Sequence, residues 1–288
     1  MNRIADEQRL RNEQSRDRWD LYAPHRHRVT RLLTQAAALD ARLCVLGAGN
    51  CNDLDLPTLL QAYAQVHLVD LDGLALQTGL AAQRCAETHR IHLHGEADLS
   101  GIADRLALGT PEQPLSDAEL GLRLTKLANP PPLDLPSPFE TVASVCLLTQ
   151  LIHGLELGLG PRHPRFVEMI LRLRSRHVNL LLELTRPGGT AVLVLDFVSS
   201  QTCSELPTTP EPQLFEKAVE LINRRNFFTG ANPFLIRHLF ESDPALAPVV
   251  ESVQMTAPWL WDFGPRMYLV CAILVRRKPA APSSPNDV

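Results

Sequence analysis

The segment from Leu43 to Asp72 constrains the fold more than any other stretch of the chain. A short apolar run, Leu43 to Leu46, breaks at Gly47-Ala48-Gly49, the pattern of a buried strand that turns sharply toward a helix. Glycine at such a turn lets a ligand approach the backbone, because no Cβ stands in the way. A second apolar run, Val66 to Val69, ends in Asp70, about twenty residues past the glycines. An αβ nucleotide-binding unit places its ribose-holding carboxylate there. The stretch predicts a unit that binds a nucleoside-containing cofactor, the alternative being a tight turn with a purely structural role.

A dinucleotide fingerprint has a third glycine three residues after the second, where helix and strand pack closely. Here Cys51, Asn52 and Asp53 follow Asn50. Asp53 near a helix N-terminus repels a phosphate and tolerates or pairs with a cationic group. S-adenosylmethionine carries a sulfonium and an ammonium and no phosphate, so the details favour it over a pyrophosphate cofactor.

The 288 residues, 45% of them hydrophobic, suffice for one large α/β domain with insertions. A formal charge of −4 gives no general attraction to nucleic acid or anionic membrane, and no apolar run reaches the length of a span. The N-terminus lacks the apolar stretch of a signal peptide, so the expected compartment is the cytoplasm. The six cysteines form no Cys-X-X-Cys pair, and reduced, buried thiols are expected rather than a zinc site or a disulfide framework.

Residues 1–40 read as an N-terminal helical arm or lid. Met1 to Asp20 is highly charged, Pro24 interrupts, and Val29 to Ala38 carries a helical stripe of Val29, Leu32, Leu33 and Ala36. The aromatic and basic stretch from Trp19 to Arg28 is placed to fold over a cofactor, with His25 or Arg26 meeting a carboxylate; a packing clamp on the sheet edge is the alternative. Helices are expected over Leu54 to Ala64 and Leu74 to His89, with strands at Val66 to Asp70 and Arg90 to His94. In the loop that follows, Asp98 suits an adenine amino group and Ala97 or Leu99 the ring, unless Asp98 is only a helix cap. Strand alternation puts His92 and His94 on one face, but further metal ligands are not marked, so no metal is expected.

Residues 109–138 are proline-rich and read as a surface insertion around a helical patch, Asp117 to Leu127. Strand character returns over Glu140 to Cys146, followed by a loop or helix with Gln150 and His153 and then a long helix, Pro164 to Arg186. Pro187-Gly188-Gly189 is expected to end that helix as cap and turn, before an apolar strand, Thr190 to Phe197. Residues 199–245 form a second insertion, with helices over Gln213 to Asn226 and Phe234 to Phe240. Ser252 to Trp261 and Met267 to Arg276 predict an antiparallel hairpin, and residues 279–288 a disordered tail.

The run Leu184 to Asp196, Leu-Thr-Arg-Pro-Gly-Gly-Thr-Ala-Val-Leu-Val-Leu-Asp, resembles the fifth-strand motif of class I S-adenosylmethionine-dependent methyltransferases. Gly47-Ala48-Gly49 is similar to that family's glycine loop, Asp70 to its ribose acid, Glu96-Ala97-Asp98-Leu99 to its adenine loop and Phe139 to Ser144 to its fourth strand. The resemblance covers about Tyr22 to Asp196. Two positions depart from it: Val45 stands where an acid is common and Cys51 where a third glycine is common.

The resemblance implies an α/β, Rossmann-like methyltransferase fold over residues 41–278: a mostly parallel seven-stranded sheet with a C-terminal antiparallel hairpin and helices on both faces. It implies S-adenosyl-L-methionine as cofactor, held by Tyr22, Arg26, Gly47, Ala48, Gly49, Asn50, Asp53, Asp70, Leu71, Ala97, Asp98, Leu99 and Ser144. The expected reaction is methyl transfer to an O, N or C nucleophile of a small molecule. His153 is the candidate proton acceptor and Gln150 the candidate orienting group, both placed to touch substrate. The alternatives are a degenerate S-adenosylmethionine-binding or scaffold protein, and a nicotinamide-dependent oxidoreductase. A nucleic-acid methyltransferase is disfavoured by the acidic balance.

Overall fold

A computed structural model describes residues 3–101, 116–121 and 133–280. Strands β1 (Arg42–Leu46), β2 (Gln65–Val69), β3 (Ile91–His94), β4 (Phe139–Val145) and β5 (Thr185–Ser199) run parallel, and β6 (Val250–Met255), β7 (Trp259–Asp262) and β8 (Met267–Arg277) complete the sheet. The order is β3-β2-β1-β4-β5-β8-β6, with β8 antiparallel to β5 and with β6 and β7 antiparallel to β8. Strand order reverses at β1, whose neighbours are β2 and β4, so a crevice opens at the C-terminal ends of these strands. This is a Rossmann-like α/β fold, a mostly parallel sheet that ends in antiparallel strands.

The parallel strands are apolar on both faces because both faces are covered. Cys44 and Leu46 of β1 point to one core with α5 (Leu147–Leu159) and α6 (Phe166–Leu184), and Leu43 and Val45 point to the other with α2 (Ala23–Gln35) and α3 (Leu56–Ala62). A third core lies under the second insertion, where α7 (Leu214–Asn223) packs Leu214 and Leu221 beneath Phe197. α4 (Gly73–Ala82) connects β2 to β3, and α8 (Pro233–Ser242) packs beside β6.

Several local expectations are corrected. Pro24 does not interrupt a helix but lies in the first turn of α2, where a missing N–H costs nothing, so α2 starts at Ala23 rather than Val29. α4 stops at Ala82, short of His89, and Arg84 takes a left-handed backbone just beyond. Pro187-Gly188-Gly189 falls within β5 as an irregularity: Thr185 already pairs with Phe139, Gly188 has φ +73, and regular pairing resumes at Thr190 opposite Thr141. The expected single strand from Ser252 to Trp261 is two, giving eight strands among the described residues. The break contains Pro258, which has no N–H for the ladder.

The arm of residues 1–40 has two parts. α2 belongs to the core through Val29 and Leu33. α1 (Arg3–Ser15) is polar and is tied to the loops after β1 and β2 by hydrogen bonds: Asn12 Nδ2 donates to Asp72 Oδ2 at 3.0 Å, and Asn52 Nδ2 donates to the Ser15 carbonyl at 2.7 Å. The helical patch expected over 117–127 is helical at 117–121; its remainder and residues 281–288 of the expected tail lie outside the described residues.

Candidate active site

The loop after β1 is built by its backbone. Gly47 has φ +75, and its N–H donates to the Val69 carbonyl at 2.8 Å; an added Cβ would stand 2.7 Å from Leu147 Cδ1. Gly49 donates its N–H to Asp70 Oδ2 at 2.8 Å, and the other oxygen of Asp70 accepts the Asp72 N–H at 2.9 Å. Asp70 is buried, which raises its pKa to about 6 against the opposing pull of those N–H donors. Cys51, at the family's third glycine position, keeps a glycine-like backbone with φ 56. The close helix approach is supplied instead by Gly79 of α4, where a Cβ would meet the Asn50 carbonyl oxygen at 2.3 Å.

From this loop a cavity of about 680 Å³ extends past the ends of β4 and β5 beneath α1. Of the predicted site residues, Tyr22, Gly47, Ala48, Gly49, Asn50, Asp53, Gln150 and His153 line it. The others sit elsewhere. Arg26 donates to the Trp19 and Asn52 carbonyls at 2.7 and 3.1 Å and stacks on the Trp19 ring, tying the arm to the loop. Ser144 Oγ bonds the buried His177 Nε2 at 2.8 Å on the core side of β4. Asp98 Oδ1 accepts the Ser100 N–H at 2.9 Å and the Gly101 N–H at 3.1 Å, the capping geometry. Ala97, Leu99 and Leu71 lie outside the cavity wall, Ala97 and Leu99 in the core on the α5 side. His153 is half-exposed at the rim and bonds Glu156 at 3.0 Å.

Asp53 is the charged centre of the near wall. Burial pushes its pKa up to about 7, Arg26 pulls the other way and Asp196 adds to the rise. Its Oδ1 has no hydrogen-bond partner, although 25% of the side chain stays open. The nearest ring is His25, whose Nδ1 accepts the Trp259 indole N–H at 3.1 Å. Tryptophan only donates, so the His25 proton sits on Nε2, facing Asp53 Oδ1 at 3.6 Å. Burial keeps that ring neutral, with its pKa lowered to about 3.

The far wall comes from residues that local sequence reasoning missed. Asp196 ends the inner part of β5, where pairing with β8 is irregular, and accepts the Thr149 hydroxyl at 2.7 Å. Burial raises its pKa to about 7, with the Thr149 bond opposing. Trp261 packs edge-on against Tyr22 and Phe263 and lies over His25, and Tyr268 stands beside it. The alternation Trp259, Trp261 was the available signal for a half-buried aromatic strand edge, and the position of Asp196 at a strand's end was the signal for a crevice residue.

At the other edge of the sheet His67 stacks on His92 and bonds His94 at 3.0 Å. Among the described residues no group of three or more His, Cys, Asp or Glu side chains is placed to hold a metal ion. Among them, too, no helix is long and apolar enough to cross a membrane.

No protein-family model matches the chain, and no curated protein matches it. Solved structures do. An O-methyltransferase family protein from Burkholderia thailandensis aligns at 11% identity over 97% of this chain and 63% of its own, with a TM-score of 0.47. An rRNA methylase from Streptococcus thermophilus aligns at 9% identity over 88% of this chain and 95% of its own, at 0.40. CalS10, an amino pentose methyltransferase from Micromonospora echinaspora with S-adenosylmethionine bound, aligns at 16% identity and 0.33, over 60% of this chain. The chain spans half the length of CalS10.

Proposed function

We propose that the chain is an S-adenosylmethionine-dependent methyltransferase acting on a small molecule in the cytoplasm. The observation that carries the reading is a glycine loop opening directly into a half-open cavity beside Asp53, a largely desolvated carboxylate with no lysine or arginine in ion-pair contact among the described residues. Such a wall repels a phosphate and suits a cation. The residues present fit the cofactor on two counts: Gly47 and Gly49 offer bare backbone to the cavity, and Asp53 Oδ1 lacks a partner.

Bound there, S-adenosylmethionine supplies an electrophilic methyl group on a sulfonium. Gly47 to Asn50 would permit its close approach, Asp53 would pair with its cationic groups, and Asp70 positions the loop by holding the Gly49 N–H. α1 and the aromatic wall exclude water, leaving alignment of two reactants as the protein's main contribution. A cavity of about 680 Å³ partly roofed by α1 suits a small acceptor. The six cysteines are all free, in keeping with a reducing compartment.

Calorimetric titration separates this reading from a nicotinamide-dependent oxidoreductase, and methyl transfer to an added acceptor separates it from a protein that only binds the cofactor. S-adenosylmethionine should bind with a Kd below about 100 μM and NAD not measurably. Binding of NAD without S-adenosylmethionine overturns it.

A further inference from the structure

We infer that the acceptor is a protonated amine carrying an apolar or aromatic group, seated with its ammonium on Asp196 and its apolar part against Trp261 and Tyr22; this rests on the methyl-transfer reading above. Three observations on the cavity carry it.

The first is charge. Asp196 is 6% exposed, lines the cavity, and has the Thr149 hydroxyl as its side-chain donor, with no lysine or arginine at ion-pair distance among the described residues. A buried carboxylate without a counter-ion is costly, and a ligand cation relieves that cost. The three arginines on the cavity are already engaged: Arg11 with Glu7, Arg18 with the Phe263 carbonyl and Arg266 with Gln201. The lining holds four carboxylates, Glu7, Asp53, Glu156 and Asp196, against those three arginines, so its formal charge is negative. Asp53, beside the glycines, faces the cofactor end, which leaves Asp196 for the acceptor.

The second is a pair of unpartnered groups. Tyr22 and Trp261 are more than nine-tenths buried and line the same cavity, yet the phenol oxygen and the indole nitrogen have no hydrogen-bond partner. Buried polar groups of this kind are normally satisfied, here by a ligand. The phenol oxygen accepts from an ammonium, and the indole N–H serves an acceptor atom on the same molecule.

The third is the wall itself. Tyr22, Trp261, Phe263 and Tyr268 form a continuous aromatic surface, which favours a cation with apolar substituents.

An ammonium has no lone pair to offer. One of its protons passes to a carboxylate oxygen of Asp196, giving a neutral amine whose nitrogen pair is free and a neutral acid, which returns the proton to water afterwards. Burial raises Asp196 to about 7, the range a proton acceptor at neutral pH needs. The groups facing it are Thr149 from α5, Asp53 and Cys146 from the loops after β1 and β4, Arg11 from α1, and Arg266 and Tyr268 from the start of β8.

The probes are benzylammonium, benzyl alcohol and benzoate, titrated calorimetrically into the full chain without cofactor. Benzylammonium should bind at least about tenfold more tightly than benzyl alcohol, benzoate not at all, and benzylammonium affinity should rise about tenfold from pH 5.5 to 8 as Asp196 ionises. Asp196→Asn, which keeps an acceptor for Thr149, should weaken benzylammonium about tenfold or more while S-adenosylmethionine affinity stays within twofold. Equal binding of the alcohol, preference for benzoate, no benzylammonium binding, or a pH-independent affinity in the wild type each overturn the inference. If S-adenosylmethionine binds and benzylammonium does not, the methyl-transfer reading stands and only the acceptor class falls. The opposite pair of results keeps the amine site and removes methyl transfer.

Discussion

The two ends of the cavity are built by different means. At the glycine loop the carboxylate Asp70 is saturated by backbone: each oxygen accepts an N–H from within three residues of the turn it shapes, at Gly49 or Asp72. At the far wall Asp196 reaches one hydroxyl and faces aromatic rings brought in by β7 and β8. Both acids are buried, yet the first serves the fold and the second is left for something the chain does not contain. Burial alone does not mark a functional acid; the identity of its partners does.

The largest expected effect is on the loop side. Gly79→Ala places a Cβ at 2.3 Å from the Asn50 carbonyl oxygen, which is backbone and cannot rotate away. The expected cost is about 3 kcal/mol in chemical denaturation, with weakened S-adenosylmethionine binding. A loss under about 0.5 kcal/mol would show that the α4 contact does not seat the loop.

The two acids should then respond with opposite signs. Asp70→Ala leaves two buried N–H groups without an acceptor and should cost about 1.5–3 kcal/mol. Asp196→Asn removes an uncompensated charge while keeping the Thr149 bond, and should stabilise the free protein by about 1 kcal/mol at pH 8. Melting temperatures of both variants check this, and destabilisation by both would erase the distinction.

The smallest effect is the pH profile. Asp53 and Asp196 sit near 7 in the folded chain against an ordinary 3.8, so the stability they contribute is full below about 3.8 and lost as pH rises through 7. His25, His67 and His177 are lowered from 6.5 to about 3, 4 and 4, so theirs is full above 6.5 and lost as pH falls toward 4. Asp70, raised to about 6, adds a third acid, and three acids against three histidines leave the wild type nearly flat between about pH 4.5 and 6. The Asp53→Asn, Asp196→Asn double variant should gain stability steadily with pH across that window, whereas a flat profile in it would mean the two acids titrate normally.

How much was legible follows the same division. The glycine loop and an acid at the end of β2 depend on short-range patterns, and Gly47 to Asn50 and Asp53 do line the cavity, whereas Asp70 is outside its lining, with both oxygens on backbone N–H groups. Asp98 and Ser144 were placed by family motif, but in this chain one caps a turn and the other bonds His177. Neither the Gly79 contact nor the meeting of Asp196, Thr149 and Trp261 has a local signature. The latter depends on β8 folding back antiparallel to β5 and carrying β7 with it, pairings over 60 residues apart in sequence for β5 and β8. Pro24 misled because a proline restricts one φ and one donor, and whether that matters depends on whether the donor is needed.

Hydrogen exchange of the full chain with and without saturating S-adenosylmethionine tests the central claim most directly, because it reports where the ligand lies as well as whether it binds. The account predicts slowed exchange over residues 47–53, at the start of α5 and in α1, with little change at the His67, His92 and His94 edge. Protection confined to that edge, or none at saturation, would contradict it.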